Sequence, residues 1–449
     1  MSVGQEEGMN MNNTRTAQVT LLVLLGSSPA FGAGFQINEH SARATGRGSS
    51  VVATVDDPSA IWHNPAGLAE IDSLEIMLGT NVVIPDNGYN GPGFPTTNPS
   101  FPEDPGDQTL DSSPTLVPYI FAAYPLSEKA VVGVGLYFPY GLGTFWEPDD
   151  NFIGRTQADE TELRTFFTTP TVALKPVDWL NVAVGLQLVP ATLRLSQALG
   201  TDDGNLAFPS PTGDPLDEGR FELGASAFGV GATAGIIVRP PFDPIRNLHF
   251  GFNYRSAVTL NFNDGDADFS IPSNVPSTIA AAFPDQTGSG AVTLPHTFSM
   301  GLGWKEGTFW ALEAGVQVTL WQSFDELAVD FDNPATPDVA EPRDWNAVPL
   351  IRIGGEIFPI KPLAVRAGFV FDVTPQPDET VEPGLPDGTR FNFSVGLGYT
   401  FFKRFTLDVA YLGINLDDRT IPDDSVFPLE GEFEGGYINF ISTALTVRI

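Results

Sequence analysis

The chain has 449 residues, no cysteine and a formal net charge of −33. The acidic balance excludes nucleic acid as a partner, and the lack of cysteine excludes a disulfide framework or a thiolate metal site. With 46 glycines, 39 prolines, 34 phenylalanines and only 17% charged residues, the composition suits many strands joined by turns rather than a helical protein; the length fits two or three soluble domains or one large β-barrel.

The chain opens on an export signal. Arg15 precedes the apolar run "AQVTLLVLLG" and the small residues "SSPAFGA", which read as the n-region, h-region and cleavage zone of a signal peptide over residues 1–32. Met9 and Met11 are alternative starts, and cleavage is expected between Ala30 and Ala33. No later segment is long and apolar enough for a membrane helix. The mature chain is therefore either a secreted soluble β protein or a membrane β-barrel. Next comes "DDPSAIWHNPAGLAEI", residues 56–71. Asn64-Pro65 predicts a turn, with Pro65 at the first position of a short helix; read locally, the stretch is a surface loop.

From residue 74 on, period-two patterns predominate. In "RFNFSVGLGYTFF", Phe391, Phe393, Val395, Leu397, Tyr399 and Phe401 share one face, and Asn392, Ser394, Gly396, Gly398 and Thr400 the other. "LHFGFNYRSAVTLNF" sets Phe250, Phe252, Tyr254, Val258 and Leu260 against Asn253, Arg255, Thr259 and Asn261. About fourteen strands are expected, starting near Leu74, Leu116, Ala130, Glu162, Leu180, Phe221, Leu248, Ala291, Thr308, Asp344, Leu363, Arg390, Phe405 and Tyr437. Their connections alternate short and long, and every lysine (Lys129, Lys175, Lys305, Lys361, Lys403) falls in or beside a short one. Acidic runs such as "EPDDN", "ADETE", "PLDEG" and "NDGDAD" fill the long ones. Short periplasmic turns and long outer loops are the mark of an up-and-down barrel in the outer membrane. Trp179, Trp304 and Trp310 near the short turns, and Trp146 and Trp321 toward the long loops, are expected to form two aromatic girdles. "NDGDAD" lacks the Glu that closes an EF-hand loop and is flanked by strands, so it reads as hydrated rim rather than as a calcium site.

Several segments resemble the FadL/TodX family of outer-membrane transporters of long-chain fatty acids and aromatic hydrocarbons. These are "AGFQINEHSARATGRGSS" with the downstream "HNPAGLAEI", "PYGLGTFW" (139–146), "GFNYRSAVTLNF" (251–262), "TLWQSFDELAVDF" (319–331) and "IRIGGEIFPIKPLAVRAGFVFDVTPQPD" (351–378), in family order. The resemblance covers essentially the whole mature chain. It implies an all-β, about fourteen-stranded antiparallel transmembrane barrel (74–449) with an N-terminal hatch (33–73) plugging the lumen. The motif Asn64, Pro65, Ala66 would hold the hatch against the wall. The family also implies capture among the outer loops, a lumenal pocket by the hatch N-terminus, and lateral exit at a kinked third strand.

In "AVVGVGLYFPYGLGTFW" the candidate gate is Pro139, Tyr140, Gly141 and Gly143; Pro139 lacks a ladder donor and glycine weakens pairing, so these residues either open the wall or end the strand. Parity turns Arg255, Glu313, Arg352, Glu356, Arg366, Asp372 and Asp408 inward. Candidate ligand-binding residues are Phe35, which lines the family's pocket or else packs on the wall, together with Arg194, Arg255, Arg352, Arg366 and Asp372. Arg194 lies near a family position associated with the ligand head group. Ile449 departs from the family by replacing the usual terminal aromatic.

The expected function is passive, ligand-gated transport of long-chain fatty acids or similar hydrophobic molecules. The alternatives are an aromatic-hydrocarbon channel of the same family and a general diffusion porin. No nucleophile elbow, zinc spacing or phosphate loop accompanies His40, His63, His249 and His296, so no enzyme, cofactor or metal is expected. Expected partners are a hydrophobic small molecule such as a fatty acid, and the outer-membrane lipids and lipopolysaccharide around a monomeric barrel.

Overall fold

The structure, a computed structural model, describes residues 34–91, 108–110, 113–146, 153–199, 218–273, 275–427 and 429–449. The export signal, the "EPDDN" run and most of "PLDEG" lie outside the described residues.

Fourteen antiparallel walls close into a barrel. They are β1 (Glu75–Ile84), β2 (Thr115–Ser127), β3 (Ala130–Tyr137 and Gly141–Phe145), β4 (Glu160–Thr165 and Phe167–Val177) and β5 (Leu180–Leu199). Next come β6 (Gly219–Val238), β7 (Leu248–Arg255 and Val258–Ser270), β8 (Gln286–Leu294 and Thr297–Glu306) and β9 (Trp310–Leu320 and Glu326–Phe331). The last are β10 (Val339–Pro342 and Ala347–Ile360), β11 (Leu363–Asp372), β12 (Arg390–Phe401), β13 (Phe405–Leu416) and β14 (Tyr437–Arg448). Closure is made where β1 pairs with β14, Glu75 opposite Arg448, and with β2, Val83 opposite Thr115. Full closure leaves no lipid-exposed edge, which a bilayer demands because it offers no hydrogen bonds to a free ladder.

The period-two pattern of β12 is resolved as membrane outside, lumen inside. Phe393, Val395 and Leu397 are exposed, while Asn392 and Ser394 are buried. In β7 the expected single face breaks. Phe250 is exposed, but Val258 and Leu260 are buried toward the lumen. The reason is a bend at Ser256-Ala257: Ser256 exchanges bonds with Ala232 of β6, and the Ala257 amide donates to His296 Nδ1. Two residues stand here where alternation would place one, and that one extra residue reverses the parity beyond it. The girdle assignment also needs correction. Trp179 and Trp310 are exposed at the short-turn end, as expected, but Trp321 is fully buried and Trp146 nearly so, its indole donating to the Pro383 carbonyl at 2.9 Å. At the other end Phe391 and Tyr437 are exposed.

Residues from Gly34 to Glu70 run through the lumen and are buried almost throughout. Ser41 caps a turn of helix at Ala42–Thr45, and Asn64 caps the 3-10 helix Pro65–Glu70 with Pro65 at its start. Small residues let this segment touch the wall backbone: a Cβ on Gly396 would stand 2.9 Å from the Gly46 Cα.

Candidate functional site

The hatch is fastened at two levels. Nearest the short turns, Arg43 Nη2 donates to Glu356 of β10 at 2.6 Å, and its Nη1 meets Asp56 at 2.5 Å and Asp57 at 3.3 Å. Lys305 of β8 also pairs with Asp56, and Arg366 joins Glu356 at 3.1 Å to Asp408 at 2.6 Å. Beside this ion network the Asn64 amide donates to the Val52 carbonyl at 2.7 Å and to the Ile236 carbonyl of β6 at 3.2 Å, while its oxygen accepts from the Ala66 N–H. Gly235 makes that approach possible, since a Cβ there would lie 2.1 Å from Asn64 Oδ1.

Toward the middle of the lumen the hatch meets the third wall. Here β3 is interrupted between Tyr137 and Gly141. Its first half pairs with β2 from Ser127–Ala130 up to Ile120–Leu136, and its second half pairs with β4. Leu116 to Tyr119 of β2 keep their β1 partners but have no β3 partner among the described residues. The bent segment turns inward and takes the hatch as its strand. Ile37 N–H donates to the Pro139 carbonyl at 2.8 Å, Gly141 N–H donates to the Phe35 carbonyl at 3.1 Å, and Gln36 stands opposite Tyr140. The backbone groups freed by the kink are thus satisfied by the plug. The gap in the wall is a small cleft of about 20 Å³ lined by Ile37, Leu116, Pro118, Phe138, Arg164 and Phe166. That volume holds about one water molecule.

Phe35, immediately beside the kink, sits in an aromatic box. Its ring centroid lies 4.8 Å from Trp321, 5.4 Å from Phe324, 6.0 Å from Trp345 and 6.2 Å from Tyr140. Trp321 and Phe324 are placed there by the break in β9, and Trp345 by the break in β10. The indole N–H groups of Trp321 and Trp345 are buried without a hydrogen-bond partner. Gly34, with φ +66°, has no room for a side chain: a Cβ would lie 2.4 Å from Trp345.

Below the box is a polar belt. Gln317 Nε2 donates to Gln36 Oε1 at 2.9 Å. Arg390 pairs with Asp387 and stands 3.8 Å from Asp372. Arg352 is buried with Nε and Nη2 unpaired, facing the charges of Glu39 and Asp372. Burial raises the Glu39 carboxyl to about 7, against the opposing pull of Arg352. Farther up, Leu199, Phe221, Phe269, Phe283, Phe331 and Val339 form a separate apolar cluster among the outer extensions of β5 to β10. Among the described residues no group of three or more His, Asp or Glu is placed to hold a metal.

The sequence candidates are therefore distributed over different levels. Phe35 and Tyr140 meet in the box, and Arg352 and Asp372 lie in the belt beneath it. Arg255 lies over the Trp62 ring at 3.6 Å and donates to the Trp62 carbonyl at 2.5 Å, so it serves the hatch. Arg366 is consumed by Glu356 and Asp408. Arg194 is on the exposed face of β5, opposite Glu162 and Gly224, and is not brought to the pocket. Pro190 leaves the parity of β5 intact, so buried Leu193 forces Arg194 outward. The sequence reading missed Trp321, Phe324, Trp345, Gln36 and Gln317. The available signal was a tryptophan followed three residues later by Phe324 where the alternation of β9 stops.

The chain matches the family "Outer membrane protein transport protein (OMPP1/FadL/TodX)" over residues 23–440. It is 25% identical over 414 residues to the long-chain fatty acid transport protein of Salmonella typhi, covering 88% of this chain and 90% of that one. The Escherichia coli K12 protein of the same name is 24% identical over 88% of this chain and 91% of its own. The fold is shared with the crystal structure of a Pseudomonas aeruginosa FadL homologue, with TM-score 0.80 and 21% identity over 93% of this chain and 100% of that one. It is shared also with the P. putida toluene transporter TodX, with TM-score 0.66 and 17% identity over 94% and 99%. The chain belongs to the FadL/TodX family of outer-membrane transport proteins.

Proposed function

We propose that this protein carries long-chain fatty acids or similar hydrophobic molecules into the outer membrane, with the hatch spanning residues 33–73 and the barrel 74–449. The observation that carries the reading is the pairing of Phe35 to Ile37 with Pro139 to Gly141, which couples the aromatic box to the gap in the wall. Ligand gathers on the apolar cluster around Phe221 and Phe269 and descends into the box. It parts the rings around Phe35, which are held by dispersion and edge contacts rather than by hydrogen bonds. Moving Phe35 also loosens its bonds to the bent strand. The cleft between β2 and β3 then widens, and the ligand leaves sideways into the outer leaflet without crossing the hatch. The fastened hatch keeps water and ions from following.

Two features favour an amphiphile over a plain hydrocarbon. Arg352 offers buried donors without partners, and the indole N–H groups of Trp321 and Trp345 are buried and unpaired; each is a polar group that an oxygen-bearing ligand would satisfy. The all-aromatic character of the box supports a second reading, uptake of aromatic hydrocarbons, and the toluene transporter named above shares this fold. Uptake of labelled oleate and labelled toluene by cells lacking their own transporters separates the two. Restored oleate uptake is the expected result; restored toluene uptake alone would replace the first reading by the second.

A further inference from the structure

The cleft at the wall gap is apolar on nearly every side, but one of its lining groups is a guanidinium. Among the lining residues Arg164 alone is charged. It sits on the upper half of β4, directly opposite Gly141 of the bent strand, with its side chain 29% exposed. Parity puts Leu163 and Thr165 in the lumen and turns Arg164 the other way, toward the outer face of the wall, on the same side as Glu162, which is itself buried. The opening is therefore bordered by Leu116, Phe138 and Phe166 for a hydrocarbon chain, and by Arg164 where that chain would emerge.

The bonding of Arg164 fits a group that changes partner. Its Nε at 2.9 Å and its Nη2 at 2.5 Å both donate to one oxygen of Glu162, and Nη1 has no partner among the described residues. This is not the two-oxygen fork of a strong arginine–carboxylate pair. A second carboxylate arriving through the cleft could take the free edge of the guanidinium without first breaking the bond to Glu162.

We infer that Arg164 is the specificity-determining residue of the lateral exit, receiving the carboxylate of an anionic amphiphile as its chain leaves the lumen between β2 and β3. The inference rests on the lateral route proposed above and narrows its substrate to acids. A neutral apolar molecule has the same chain path but no use for the cation. Lipid phosphate in the outer leaflet is the other source of a matching anion, and it would serve acid and neutral cargo alike.

The test measures uptake of oleate and of oleyl alcohol, which share one chain and differ in the head group, in transporter-deficient cells. Wild type, Arg164→Gln and Glu162→Gln are compared at matched surface abundance. Arg164→Gln is expected to lower the oleate-to-alcohol uptake ratio roughly five-fold, the loss of one charge-assisted contact weakened by partial exposure. Glu162→Gln, which frees the cation, is expected to raise the ratio. An unchanged ratio in both variants overturns the inference. Equal loss of oleate and alcohol uptake in Arg164→Gln also overturns it, and assigns Arg164 to lipid anchoring or to the wall. A third arm bridges Leu116→Cys to Phe138→Cys with a bismaleimide. If the bridge blocks uptake and the ratio does not respond to Arg164→Gln, only the selector fails; if the bridge leaves both uptakes intact, the lateral route itself fails.

Discussion

Arg43 is the central tie between hatch and barrel, and replacing it with methionine separates the two in a measurable way. The substitution keeps an unbranched apolar stem, drops the guanidinium and removes contacts at 2.5, 2.6 and 3.3 Å. Removing one member of a buried ion pair costs about 3–5 kcal/mol because the partner is left charged and desolvated. The lower end applies, because Glu356 retains Arg366 and Arg47 while Asp56 retains Lys305. A loss of about 3 kcal/mol weakens docking of the hatch about a hundredfold. The barrel should not register it, since no ladder bond involves this side chain. In planar bilayers the Arg43→Met protein should show open events about a hundred times more often than wild type, while its resistance to unfolding by detergent without heating is unchanged. Adding Glu356→Leu should deepen the loss, because it takes the ion-pair partner from buried Arg47 and leaves Arg366 with Asp408 alone. A single variant with wild-type conductance would refute the fastening. A double variant docked as well as the single would refute the charge-burial reasoning.

Gly235→Val should drive the hatch from the wall, because its Cβ would collide with Asn64, and periplasmic protease should then cut near Asn64; Gly224→Ala, where a Cβ meets nothing within 4 Å, is the matched control and should remain resistant. Trp321→Ala should weaken displacement of a fluorescent fatty acid about thirty-fold, the loss of a buried aromatic anchor worth about 2 kcal/mol. Glu39 gives the hatch a pH dependence. Its folded pKa, about 7, lies above the ordinary value of 4.5, so its contribution is complete below 4.5 and is lost as pH rises through about 7. Protease protection of the hatch should therefore fall between these limits, and Glu39→Gln should flatten the profile.

The walls were legible because period two survives along a strand that faces lipid on one side. Phe393 and Asn392 sort correctly from sequence alone. Parity failed at two bends. Ser256-Ala257 turns Val258 and Leu260 inward, and the end of β9 sends Trp321 into the lumen instead of to the membrane surface. For Arg194 the resemblance pointed to the ligand head group, while the ladder of β5, unbroken past Pro190, keeps it on the outer face. The aromatic box was partly hidden for a related reason. Its aromatic walls come from breaks in β9 and β10, and only closure of the barrel brings Trp321 and Trp345 together with Phe35, some three hundred residues distant in sequence. The kink at Pro139 was visible as chemistry, but its new partner, the hatch strand Phe35 to Ile37, was not.

Because the native chain has no cysteine, a Leu116→Cys/Phe138→Cys pair gives a clean reversible lock across the wall gap. The pair is bridged on intact cells with a cleavable bismaleimide, oleate uptake is measured, the bridge is reduced and uptake is measured again. Lateral exit predicts that binding of a fluorescent fatty acid persists in the locked state while uptake falls to the level of cells without the protein, and that reduction restores it. Full uptake with the bridge demonstrably in place would contradict the lateral route and direct the cargo through the hatch.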